Sequence, residues 1–113
     1  MSKTKVKSGI SDRFRGFLPV VIDVETAGFN AETDALLEVA AAILDMNSEG
    51  NLYIKEMVSC HVMPFRGANL DKAALEFTGI DPFNPLRMAK PEDEALDMIF
   101  EPIRKAVKET GCT

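Results

Sequence analysis

The stretch that most constrains this chain is residues 17–30, FLPVVIDVETAGFN. An apolar segment rich in β-branched residues runs into a loop marked by Gly and Asn, so residues 17–25 predict a short strand. Its near-continuous apolarity predicts burial on both faces, as in the central strand of a sheet. Yet Asp23 and Glu25 stand near its end. Strand side chains two apart share a face, roughly 6.5–7 Å apart along the backbone, so both carboxylates point the same way with Val24 opposite. Buried like charges raise each other's pKa and cost free energy unless something compensates. A divalent cation does so, and hard carboxylate oxygens suit Mg2+ or Mn2+. Two such ions about 4 Å apart activate a water and stabilise the leaving oxygen in phosphodiester cleavage. The plainer alternative is that one carboxylate caps the loop and the other faces solvent, because an acidic protein holds several D-x-E triplets by chance.

The rest of the chain reads as strand, strand, helix, helix. ALLEVAAAILDM is open between helix and buried strand: its alanines favour helix, while VAAAIL is short enough for a strand. NSEGN is a turn that suits a hairpin, and LYIKEMVSCHVMP alternates loosely before a proline, as a strand does. GANLDKAALEFTGI predicts a short helix with Asp71 as N-cap and Gly79 as its stop. Residues 91–110 predict the clearest helix. Pro91 and Glu92, Asp93 and Glu94 stand at its positive end, Arg104, Lys105 and Lys108 at its negative end, and Gly111 closes it. Leu96, Ile99, Phe100, Ile103 and Val107 form the expected apolar stripe. Pro102, inside the helix, predicts a kink.

Composition sets the outer limits. The 113 residues make one domain at most, 46% hydrophobic. No apolar run is long enough to span a membrane, and the basic N-terminus lacks the apolar block of a secretory signal. Cys60 and Cys112 read as two reduced thiols in a cytoplasmic protein. The net charge of −5 divides unevenly. Residues 1–15 carry five basic side chains against one acidic, and the remainder eight against seventeen. Residues 1–11 read as a flexible basic arm and 12–113 as the folded domain. Arg13 and Arg15 alternate with Phe14 and Phe17, which predicts that they are ordered. A basic segment on an acidic body suits local contact with a polyanion.

PVVIDVETAGFNAETDALLEVAAAIL resembles the first motif of the DEDD superfamily of 3′→5′ exonucleases, the DnaQ-like group. With DRFRGFLPVVIDVETAGFN, GANLDKAALEFTGID and IRKAVKETGC in the same order and spacing, the chain resembles the ribonuclease T family, bacterial trimmers of RNA 3′ ends. The resemblance implies an α/β fold of the ribonuclease H-like (DnaQ-like exonuclease) kind. Here it would be an incomplete N-terminal portion, with three antiparallel strands followed by helices. It assigns Asp23 and Glu25 as the first two acidic ligands for two Mg2+ ions, Mn2+ being the substitute. Phe29 and Phe77 match aromatic residues that stack on the 3′-terminal bases. Without the resemblance, Phe77 reads as core and Phe29 stays open between core and function. Arg13, Arg15 and Lys108 match a basic patch that grips RNA. In the family this patch serves the partner protomer of a homodimer, with single-stranded RNA 3′ ends and tRNA as substrates. Some members carry glutamate at the position of Ala73, touching the bases. Glu76, about one turn further on, is either its substitute or a surface charge.

The later family motifs, H-N-x-x-F-D and H-x-A-x-x-D, do not occur. His61 matches a mid-strand segment and reads as structural. The chain is therefore expected to be about the N-terminal half of such an enzyme, inactive alone, with strand 17–25 left as an exposed apolar edge. The alternatives are another DnaQ-like exonuclease of proofreading or oligoribonuclease type, a non-catalytic RNA-binding or dimerisation fragment, or a folded domain without a surviving role.

Overall fold

A computed structural model describes residues 9–113. Most of the basic arm, including Lys3, Lys5 and Lys7, lies outside the described residues. Residues 9–11, assigned to the arm from sequence, fold with the body: a 3-10 turn at Gly9–Asp12 buries Ile10 completely.

Three strands form one antiparallel sheet in the order β1-β2-β3: β1 Val20–Thr26, β2 Leu36–Met46 and β3 Leu52–His61. The segment that sequence left open, ALLEVAAAILDM, is the central strand β2. It pairs with both neighbours along its length, and this ladder outweighs the helix preference of its alanines. The β2–β3 turn closes on Asn47, whose side-chain oxygen accepts the N–H groups of Glu49 at 3.0 Å and Asn51 at 2.9 Å. Gly50 takes φ 86 there, a conformation open to glycine.

Helix α1 spans Lys72–Thr78 and α2 Glu92–Thr110. Both α1 boundaries follow the sequence: the Asp71 carboxylate accepts from Ala74 N at 3.1 Å, and Gly79 turns left-handed at φ 72. The α2 helix runs unbroken through Pro102. It packs on the β2 face made of Val39 and Ala41, with Cys60 of β3 and Val62 just past the end of that strand, through Ala95, Ile99 and Ile103. The expected stripe is thus rotated. Ala95, Ile99, Ala106 and Thr110 are buried, whereas Leu96 is 37% and Phe100 45% exposed. Alanines at 95 and 106 let the helix lie close to the sheet, so contact is confined to a narrow line and the bulkier flanks stay outside. A second core, Ala27, Ala35 and Leu37 with Leu70, Leu75 and Ile80, seats α1 against the end of the sheet.

The strand β1 lies at the sheet's edge, paired only with β2 among the described residues. Burial on both faces, expected from its apolar run, is therefore not met: Val21, Ile22 and Val24 are 58%, 48% and 47% exposed. This is the open apolar edge expected of a chain carrying only the first motif. The sheet face away from α2, with Ala40, Ala42 and Met57 on it, is covered by no helix among the described residues. Both cysteines are buried free thiols, and no helix among the described residues is long and apolar enough to cross a membrane.

Candidate active site

Register places the carboxylates. Asp23 pairs with Ala40 and Glu25 with Glu38, so both acids share the sheet face away from α2. No hydrogen bond or ion pair within the described residues engages either side chain. Just past Glu25 the ladder slips: Glu25 faces Glu38 but Thr26 faces Leu36, leaving Leu37 as the extra residue of a β-bulge. Bulges bend a strand and re-aim its side chains, and this one sits where β1 gives way to its loop.

The loop is built around Asp34. Its Oδ2 accepts from Asn30 N at 2.9 Å, and its Oδ1 accepts from Asn69 Nδ2 at 2.8 Å and Thr33 Oγ1 at 3.1 Å. The Asn30 N–H foremost, then the Asn69 amide, hold its carboxyl below the ordinary value, against a smaller opposing effect of burial. Gly28 leaves the room: a Cβ at that position would collide with Asp34 Oδ2. Asp71 N donates to Ala27 O at 2.9 Å, which ties the start of α1 to the end of β1.

Between them opens a cleft of about 400 Å³. Glu25, Thr26 and Phe29 line one side, and Asp71, Ala73 and Phe77 the other. Phe29 is fully exposed and Phe77 is 90% exposed. Neither ring packs in a core, which removes the reading of Phe77 as a core residue. Ala73 faces the cleft, whereas Glu76 is not among its lining residues.

The structure thus brings Glu25, Phe29 and Phe77 together, with Asp23 two residues back on the same strand face. Arg13, Arg15 and Lys108 are elsewhere. Arg13 Nη1 reaches Met46 Sδ at 3.7 Å, beyond the β2 end that pairs with the start of β1. Thr113 N donates to Gly16 O at 2.8 Å, so the end of α2, with Lys108 in its last turn, lies beside Arg15. The length of β1, about 20 Å, separates this basic end from the cleft. Among the described residues no three His, Cys, Asp or Glu side chains gather as a metal cage.

Sequence reading missed the Asp34 clamp and the surroundings of His61. Arg87 donates Nε to His61 Nδ1 at 3.2 Å, Nη2 to Leu37 O at 2.6 Å and to Val62 O at 3.1 Å, and Nη1 to Pro82 O at 2.6 Å. His61 Nε2 lies 3.5 Å from Glu38 Oε2. The contacts that decide both arrangements, Asp34 with Asn69 and Arg87 with His61, Leu37 and Val62, join residues 25 or more apart in the chain, so no local pattern announces them.

The sequence pattern of the family described as Exonuclease (RNase_T) matches residues 20–112. A protein called ribonuclease T from Hahella chejuensis is 64% identical over 111 residues, covering 98% of this chain and 51% of that protein. The ribonuclease T of Photorhabdus laumondii is 59% identical over 112 residues, 99% of this chain and 52% of that protein. The ribonuclease T of Salmonella typhimurium is 58% identical over 113 residues, 100% of this chain and 53% of that protein. The chain spans about half the length of the curated relatives it matches.

Proposed function

The chain belongs to the RNase_T exonuclease family, and from that membership we propose that its residues form the first half of a metal-dependent 3′→5′ exoribonuclease site. The substrates are the 3′ ends of single-stranded RNA, tRNA among them, in the cytoplasm. One observation carries this reading: Glu25, a carboxylate without a partner among the described residues, shares a single cleft at the end of β1 with two solvent-facing phenylalanines.

Each part has a chemical task. Phe29 and Phe77 offer stacking faces from opposite walls, which hold unpaired bases whatever their identity. Glu25 is on the first of those walls, and Asp23 stands two residues back on the same strand face, so the acids adjoin the place where the rings would hold a base. Their donor set suits Mg2+ or Mn2+, because both are hard oxygen ligands without a partner among the described residues. Such an ion, when bound, supplies an activated water and neutralises charge at the phosphodiester. The cleft beside Ala73 is open where a longer side chain would reach the bases, so this wall discriminates little among them.

The basic end suits a homodimer. Arg13, Arg15 and Lys108 lie about a strand's length from their own cleft, a separation that fits a patch presented to the cleft of a second protomer.

The 113 residues alone are expected to bind a single-stranded RNA 3′ end and to cleave it little, since they supply two carboxylates to the site. Fluorescence anisotropy with a labelled RNA, followed by a Mg2+ digest, tests both halves. Absence of RNA binding would sink the reading of the cleft. Vigorous 3′ trimming that Asp23→Ala abolishes would show that two carboxylates suffice. The two-carboxylate site also favours a second reading, a non-catalytic RNA-binding module. It predicts binding without turnover, lost when Arg15→Ala and Phe29→Ala are combined, even in a chain of full family length.

A further inference from the structure

The pairing register lines up three titratable residues across the sheet: Glu25 on β1 faces Glu38 on β2, and Glu38 faces His61 on β3. Directly opposed side chains share one face with Cβ atoms about 4.5–5.5 Å apart, and opposed like charges repel. Two carboxylates in that relation, one of them proposed to ligate a cation, call for a reason.

The third residue supplies it. His61 Nδ1 accepts from Arg87 Nε at 3.2 Å, which leaves Nε2 as the N–H-bearing nitrogen, and Nε2 faces Glu38 Oε2 at 3.5 Å. Arg87 is in turn fixed by the carbonyls of Leu37, Val62 and Pro82. The imidazole therefore cannot turn away without breaking a bond to an anchored guanidinium. Glu38 is drawn toward β3, away from Glu25, while its charge stays on the same sheet face.

We infer that Glu38 is a positioning residue for the cation site, adding negative potential beside Asp23 and Glu25 while His61 and Arg87 hold it out of the ligand position. This rests on the proposed metal role of Asp23 and Glu25. A hydrated cation at those acids would feel Glu38 as a fixed charge at the spacing of diagonal strand neighbours, about 7 Å, through water and at the sheet surface. One unit charge acting there on a divalent ion corresponds to a several-fold change in affinity at low salt, fading as ionic strength rises.

The test is Mn2+ binding to the 113-residue chain, read by water-proton relaxation without RNA. Glu38→Gln, which keeps the shape and the acceptor for His61, is expected to weaken Mn2+ binding about three- to sevenfold at low salt, with the difference shrinking in 0.5 M KCl. Glu38→Asp keeps the charge and is expected to stay within about twofold of the parent. An unchanged Mn2+ affinity in Glu38→Gln overturns the inference. So does an equal loss in Glu38→Gln and Glu38→Asp, or a loss indifferent to salt, since either marks a purely structural role. Asp23→Ala is the separate control: if it leaves Mn2+ binding intact, the metal reading itself falls.

Discussion

The Asn69 side-chain amide donates to Asp34 Oδ1 at 2.8 Å, across a parallel bridge that joins the loop after β1 to the segment leading into α1. This contact fastens the two walls of the cleft to each other. It makes Asp34 one of the points that fix the loop carrying Phe29, together with the bond from Asp71 N to Ala27 O.

Acid is expected to loosen that point. Asp34 titrates below the ordinary carboxylate range in the folded chain because the Asn30 N–H and the Asn69 amide favour its charged form. A depressed folded pKa means that its contribution is complete above the unfolded value of roughly 4 and drains away as pH falls through the lower folded value. Hydrogen exchange at the Asn30 amide is therefore expected to be constant from neutrality to about pH 5 after correction for intrinsic rate, and to accelerate below about pH 4. Asp34→Ala should show the fast exchange at every pH. Protection of Asn30 that persists in Asp34→Ala would contradict the clamp.

Replacing either ring tests the stacking role apart from folding. Phe29→Ala and Phe77→Ala are each expected to weaken binding of a single-stranded RNA 3′ end by about 1–3 kcal/mol, roughly five- to 150-fold. Both rings are solvent-facing, so the melting temperature should scarcely move. A Phe77→Ala protein that melts several degrees lower while binding RNA normally would return this residue to a packing role.

What was legible in the sequence was what neighbouring residues decide. The Asp71 cap, the left-handed Gly79, the NSEGN turn and the shared face of Asp23 and Glu25 follow from local chemistry and strand geometry, and each is where the pattern put it. The buried line of α2 was misread because it depends on the surface beneath. A helix lying on Val39, Ala41 and Cys60 buries its alanines, and the bulky Leu96 and Phe100 flank the contact. The Arg87–His61–Glu38 connection was invisible because its members are 26 and 23 residues apart and meet only once β2 and β3 have paired.

The rotation of α2 separates two substitutions that the sequence pattern treats alike. Ile99 is fully buried, so Ile99→Ala is expected to cost about 2–5 kcal/mol in urea unfolding. Leu96 sits at the margin of the contact, and Leu96→Ala should cost about 1 kcal/mol or less. Equal losses at the two positions would restore the stripe read from sequence.

The free edge of β1 sets the behaviour of the chain at high concentration. Val21, Ile22 and Val24 are about half exposed on a strand whose outer backbone groups have no strand partner among the described residues. Such an edge is a template for a second copy. The same strand carries its own restraint. Antiparallel self-pairing centred on Val24 sets Asp23 of one copy against Glu25 of the other, and centring on Asp23 sets two aspartates face to face. Opposed like charges weaken a ladder, and salt screens them. Analytical ultracentrifugation is therefore expected to show self-association that strengthens from 0.05 to 0.5 M KCl, the reverse of an ion-pair contact. Ile22→Lys, which places a charge on the edge away from the carboxylate face, should return the chain toward monomer at all salt concentrations. A monomer at several hundred micromolar in 0.5 M KCl, where the carboxylates are screened, would contradict the reading of β1 as an open template.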